Sequence, residues 1–166
     1  DPAHAGDGVR FCFTNTGNEG GRNYAEVMCV TDSAPATIVA ADAEGKVEAM
    51  TTVATRFIEG DKEANAFDNL DFQPGSGNLY VIEDHDNGDV WACLPDGADR
   101  DLKTDGCIRV LSVKDTSAEP TGFIFAADGA TAYVVIQHSD DKAMEAVDGY
   151  GTDDILVIRG FQPVAR

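Results

Sequence analysis

The sequence predicts an all-β fold, a β-propeller fragment of about three blades. Three observations lead there. Helical periodicity is nearly absent. Short β-branched and aromatic runs recur, each bounded by Gly, Asp, Asn or Pro. One two-strand unit also returns later in the chain at a constant offset of 53 residues. At 166 residues the chain is long enough for one domain with its own core, and it reads as a single partial propeller domain over 1–166.

Taken in order, the pattern predicts strands near 8–14, 24–31, 37–41, 52–59, 69–73, 78–84, 89–94, 106–113, 122–126, 131–138 and 154–160. Residues 60–66 and 139–152 are polar and read as loops. The repeat sets DNLDFQPGSGNLYVIEDH (68–85) over TGFIFAADGATAYVVIQH (121–138) without a gap. Leu70 and Phe72 match Phe123 and Phe125, Tyr80 matches Tyr133, and His85 matches His138. A looser copy, GVRFCFTN, puts Asn15 at the histidine position. The blade portions are then about 1–60, 66–113 and 118–162.

A blade has two apolar faces and must stack on neighbours to bury them, and a closed ring takes about four to eight blades. The first copy lacks its inner strand. The expected partner is therefore a missing N-terminal segment of the same propeller, or another chain; the alternative fold is a smaller sandwich.

The four cysteines form two local pairs. Cys12 and Cys29 lie in strand-like runs that a hairpin over Gly20-Gly21 brings face to face, with Phe13 opposite Met28. Cys93 and Cys107 flank a turn-rich segment. No CxxC spacing suggests a metal site. Disulfides Cys12–Cys29 and Cys93–Cys107 are expected, each worth about 3 kcal/mol by loop closure. They imply an oxidising compartment, periplasmic or extracellular.

Thirty acids against twelve bases give a net charge of −18. This disfavours nucleic acid and anionic membrane surfaces as partners. No apolar run approaches the ~20 residues of a membrane span. The acidity suits a protein kept soluble by charge, or one that holds Ca²⁺ with carboxylates.

In a propeller, the start of a blade's first strand and the end of its second share one mouth of the central channel. Asp68, Asn69 and Glu119 fall at first-strand starts. Asn15, Glu83, Asp84, His85, Gln137 and His138 fall at second-strand ends. Oxygen donors converging there could bind a hard cation. Each residue also has a plain structural alternative. Asp68-Asn69 suits a turn, Glu119 before Pro120 suits a loop, and His138 suits a hydrogen-bonded rim histidine. Trp91 and Phe125 read as inter-blade core.

The stretches FDNLDFQPGSGNLYVIED and AEPTGFIFAADGATAYVVIQHSDD resemble the C-terminal half of the PhoX-type alkaline phosphatases. The resemblance rests on Asp68-Asn69, on Glu119-Pro120-Thr121-Gly122, on Gln137-His138, and on Thr14-Asn15 followed by Asn23-Tyr24. It implies an exported six-bladed propeller that hydrolyses phosphomonoesters at an iron–calcium centre, with calcium and iron as cofactors. It also implies Asp68 and Glu119 as metal ligands, with Asn15, Asn69, Glu83, Asp84 and His138 as rim or supporting residues. The family's Arg-Pro-Glu strand start and its metal-bridging cysteine have no counterpart here. This chain alone is therefore expected to be inactive. Two other readings stand beside it: a non-catalytic, calcium-stabilised propeller that binds or scaffolds, and a lactonase similar to the SMP-30 family.

The acid-rich stretch VIEDHDNGDVW (81–91) fails the EF-hand rule, since the glycine comes one place early and position twelve is Pro95. It reads instead as a hairpin with a type I′ turn at Asn87-Gly88. That turn would bring Asp84 and Asp89 together on the rim.

Overall fold

The computed structural model of the chain describes residues 9–32, 52–95, 106–139 and 153–162. The expected strand at 37–41 and nearly all of the expected 139–152 loop lie outside the described residues. The fold is all-β, in three antiparallel meanders. Strands β1 (Val9–Asn15), β2 (Glu26–Asp32) and β3 (Thr52–Glu59) form the first sheet in chain order. The second holds β4 (Phe67–Phe72), β5 (Leu79–Glu83), β6 (Asp89–Cys93) and β7 (Ile108–Ser112). The third holds β8 (Glu119–Phe125), β9 (Thr131–Gln137) and β10 (Asp154–Arg159). None of the described helices is long and apolar enough to cross a membrane.

The middle sheet is buried on both faces, which explains why β5 reads as an unbroken apolar run. One face meets the first sheet through Val27, Phe57, Phe67, Leu79 and Val81, with Trp91 packed alongside. The other meets the third sheet through Tyr80, Ile82, Phe123, Phe125 and Val134. Tyr80 stacks on Phe123 at 5.4 Å and takes the edge of Phe125 at 4.8 Å. Such aromatic pairs add about 0.5–1.5 kcal/mol each beyond area burial. Asp71 ties the sheets at their edge, since its Oδ2 accepts from the Phe125 N–H at 2.7 Å. The buried Gln73 does the same, donating to the Gly129 carbonyl at 2.8 Å.

The first hairpin has the expected register, with Cys12 opposite Cys29 and Phe13 opposite Met28. Its turn differs in detail. Residues Glu19–Gly21 make one 3₁₀ turn capped by Asn18, and positive φ falls on Gly17 and Arg22 instead of Gly20 and Gly21. Both disulfides are formed, Cys12–Cys29 and Cys93–Cys107.

The 81–91 hairpin departs further. Val81 pairs with Trp91 and Ile82 with Val90, so the connection runs over residues 84–88. The Gly88 N–H closes a turn on the His85 carbonyl at 3.0 Å, and Asn87 alone carries positive φ, 60°. The two-residue type I′ turn is therefore not made. Tertiary contacts override the local Asn-Gly preference. The Asn87 N–H donates to the Ala118 carbonyl at 2.8 Å, and its side-chain amide donates to the Val113 carbonyl. Asp89 is buried at the start of β6 and pairs with Arg109 at 2.8 Å.

The outer faces of the two end sheets are apolar and open. Phe11 and Phe13 stand exposed on one, and Ile124, Tyr133 and Val157 on the other.

Candidate functional site

Antiparallel pairing places the starts of β4 and β8 beside the ends of β5 and β9. Phe67 pairs with Glu83, and Glu119 with Gln137. Both first strands are longer than the pattern predicts, starting at Phe67 and Glu119. Each carries a register shift just inside its start, between Phe67 and Leu70 and between Pro120 and Gly122. Bulges of this kind re-aim side chains and occur often beside functional sites. Proline at position 120 suits this place, because it has no N–H to give the ladder.

Asp68 and Glu119 each feel a third carboxylate, Asp84. The Asp68 pKa is raised, first by burial and then by the charge of Asp84. The Glu119 pKa is raised by burial and by hydrogen bonding and charge repulsion from Asp84, while Gln137 and His138 pull it back. The Gln137 side-chain amide donates to Glu119 Oε1. The Thr14 hydroxyl donates to the Asp68 carbonyl, which ties the end of β1 to the start of β4. Asp84 is thus the hub that both Asp68 and Glu119 feel, a role that the repeat alignment did not single out.

The remaining rim candidates divide. Asn69 lines the same cavity of ≈ 500 Å³ as Asp68, walled by β1, β4, β8 and β9. Asp84 and His85 line a second cavity of ≈ 430 Å³ with Tyr24 and Glu19. Glu119 lines neither of these two. Asn15 is exposed and bonded within its own hairpin, donating to Glu26 Oε1 at 3.1 Å.

The two repeat histidines have separate surroundings. His138 sits at positive φ, 60°, with its N–H on Asp153 Oδ1 at 3.0 Å. His85 turns back to Glu83, Nε2 to Oε2 at 3.3 Å.

Glu83 lies inside the protein, 1% exposed, and not on an open rim. Its carboxylate accepts from the Asn65 N–H at 3.0 Å and the Asp89 N–H at 2.9 Å. Burial raises its pKa, and these donors together with Trp91 and the charge of His85 oppose the rise. The Trp91 indole nitrogen is buried nearby and also draws the Glu83 pKa down.

The donors near Asp84 are anionic oxygens, which suit a hard cation such as Ca²⁺. Among the described residues, no three His, Cys, Asp or Glu side chains stand together as a formed metal-ligand group. Comparison with models of protein families, with curated proteins and with solved structures gives no match for this chain.

Proposed function

We propose that this rim is part of an exported, metal-dependent phosphomonoesterase centre of the PhoX type, in a propeller that an N-terminal segment completes. The observation that carries the reading is that Asp84 acts on both Asp68 and Glu119, which lie at the bulged starts of β4 and β8. The sequence resemblance placed ligands at two of those three residues. Asp68, Asp84 and Glu119 do not stand together as a ligand group among the described residues, so calcium, with iron as the second metal the resemblance implies, would have to draw them together or take further donors from the completing segment. Bound metal there supplies Lewis acidity toward a phosphoryl oxygen. The chain's own residues set the rest. Gln137 holds Glu119 in place, and the Thr14 hydroxyl fixes the backbone at Asp68. These groups are anionic and would repel a phosphate dianion by themselves, so substrate binding depends on neutralisation.

A second reading is a non-catalytic, calcium-stabilised binding or scaffold protein. It is favoured by the absence of Lys or Arg among the residues that wall the larger cavity. Elemental analysis of the native full-length protein, with turnover of p-nitrophenyl phosphate, separates the two. Bound calcium and iron with EDTA-sensitive turnover are expected. A folded, inactive protein that contains calcium would favour the scaffold, and a folded, metal-free, inactive one would end both readings.

A further inference from the structure

The three sheets stack in one sense. In the first sheet Cys12 and Cys29 face the middle sheet, so strand alternation sets Val9, Phe11 and Phe13 on the opposite side. In the middle sheet Leu79 and Val81 face the first sheet, and Tyr80 and Ile82 face the third. In the third sheet Ala132 and Val134 face the middle one, which sets Tyr133 and Val135 on the far side. The 53-residue offset makes Val81 equivalent to Val134 and Ile82 to Val135. The looser copy, with Asn15 at the histidine position, makes Phe11 equivalent to Val81 and Cys12 to Ile82. Each sheet therefore has a front, marked by Cys12, Ile82 and Val135, and a back, marked by Phe11, Val81 and Val134.

Front meets back twice within the chain. One back and one front are left over. Phe11 on the first sheet's back is 52% exposed, while its equivalents Val81 and Val134 are 0% exposed under a stacked neighbour. On the third sheet's front, Ile124 is 60% and Val157 47% exposed. These surfaces are the two halves of an interface that the chain already makes twice. A second copy carries both halves. Front on front, or back on back, would repeat no contact that the chain makes. Closure sets the copy number. A closed ring takes about four to eight sheets, and each chain supplies three among its described residues. Two copies fall inside that range, one falls below it, and three exceed it.

We propose that two copies of this chain associate head to tail. The third sheet's front in each copy packs on the first sheet's back in the other, and the two contacts close a single ring. The second copy is then the other chain that the incomplete repeat calls for. The proposal stands apart from the phosphatase reading. An N-terminal segment would compete for the same two faces, and bound metal does not enter the test.

Sedimentation of the full chain supplies that test. The parent is expected to pass from monomer to dimer as concentration rises, and to stop there. Head-to-tail contacts that fail to close run on as fibres. Two variants then separate the modes of contact. Phe11→Lys with Phe13→Lys blocks the back, and Ile124→Lys with Val157→Lys blocks the front. Each is expected to be monomeric alone, because each lacks one half of the contact. Their equimolar mixture keeps one front and one back, and should recover a dimer. That dimer is held by one interface instead of two, so it should be weaker than the parent's by about tenfold or more. Far-UV circular dichroism checks that both variants keep the parent's strand content, and serine at the same positions replaces lysine where it does not. A back-blocked variant that dimerises alone overturns the proposal, since it can pair only front on front. So does a folded mixture that stays monomeric. A parent that is monomeric at every concentration, or that grows into open-ended oligomers, overturns it without any variant.

Discussion

At the scale of single residues, three carboxyl groups among the described residues have raised pKa values: Asp68, Glu83 and Glu119. A raised carboxyl binds protons more tightly in the folded state than in the unfolded one. It therefore adds stability below its ordinary pKa and loses that addition as pH rises through the elevated value. The ordinary values are 3.8 for Asp68 and 4.5 for Glu119. Thermal melts in EDTA should thus show the midpoint falling as pH climbs from the mid-fours toward neutrality. Asp84→Asn should flatten this fall, because it removes the charge that both Asp68 and Glu119 feel. If the rim holds Ca²⁺, millimolar calcium at neutral pH should raise the midpoint of the parent chain more than that of Asp84→Asn.

Glu83 behaves differently, because its carboxylate is committed to two backbone donors inside the protein. Glu83→Gln leaves one acceptor oxygen where two were used, and brings an amide that finds N–H groups around it. Urea unfolding should show a loss of about 1–3 kcal/mol. A near-neutral result would mean that the Asn65 and Asp89 contacts do not hold the hairpin.

At the scale of elements, the legible features were those with a strict period or a strict pairing rule. The Cys12–Cys29 register followed from two strands and a centre of symmetry. The 53-residue repeat marked β4–β5 and β8–β9 as equivalent hairpins before any coordinates. The bulges at Asp68-Asn69 and Thr121 were not legible, because one extra residue in a strand leaves the surrounding alternation looking intact. The Asn87-Gly88 turn was misread for a physical reason. Gly88 is required by contact and not by positive φ: a Cβ there would sit 2.8 Å from the Glu83 carbonyl oxygen and 3.1 Å from Pro120 Cδ. Only the folded path of the connection, packed against Pro120 of the next sheet, reveals that constraint. Gly88→Ala should accordingly cost about 1–3 kcal/mol in chemical unfolding, and an unchanged midpoint would show that the β5–β6 connection is free to shift. The same reasoning separates Asp84 from Asp89. Neighbours in sequence on one acid-rich stretch, they part because β6 starts at Asp89 and buries it beside Arg109, while Asp84 stays on the connecting turn and feels Glu119 from the next sheet.

At the scale of the whole molecule, stacking explains both the order of the sheets and the surfaces left over. Each sheet is too thin to bury its two faces alone, and only the middle one has a neighbour on both sides. Tyr80 and Tyr133 make the consequence concrete. They are equivalent by the repeat, yet Tyr80 is 6% exposed under Phe123 and Phe125, while Tyr133 is 41% exposed with no described sheet over it. Beside Tyr133 the same face presents Ile124, its cross-strand partner, and Val157 from β10. Contiguous apolar surface of this kind drives association, and the net charge of −18 opposes it only at long range and low salt. Sedimentation of the chain should therefore show concentration-dependent self-association that strengthens with salt. Ile124→Lys combined with Val157→Lys places two like charges on that face without touching either core. The variant should sediment as a monomer at concentrations where the parent associates, with its melting midpoint little changed. If the variant associates as the parent does, the third sheet's open face is not the adhesive surface. The first sheet's face around Phe11 and Phe13 would then have to carry the association alone.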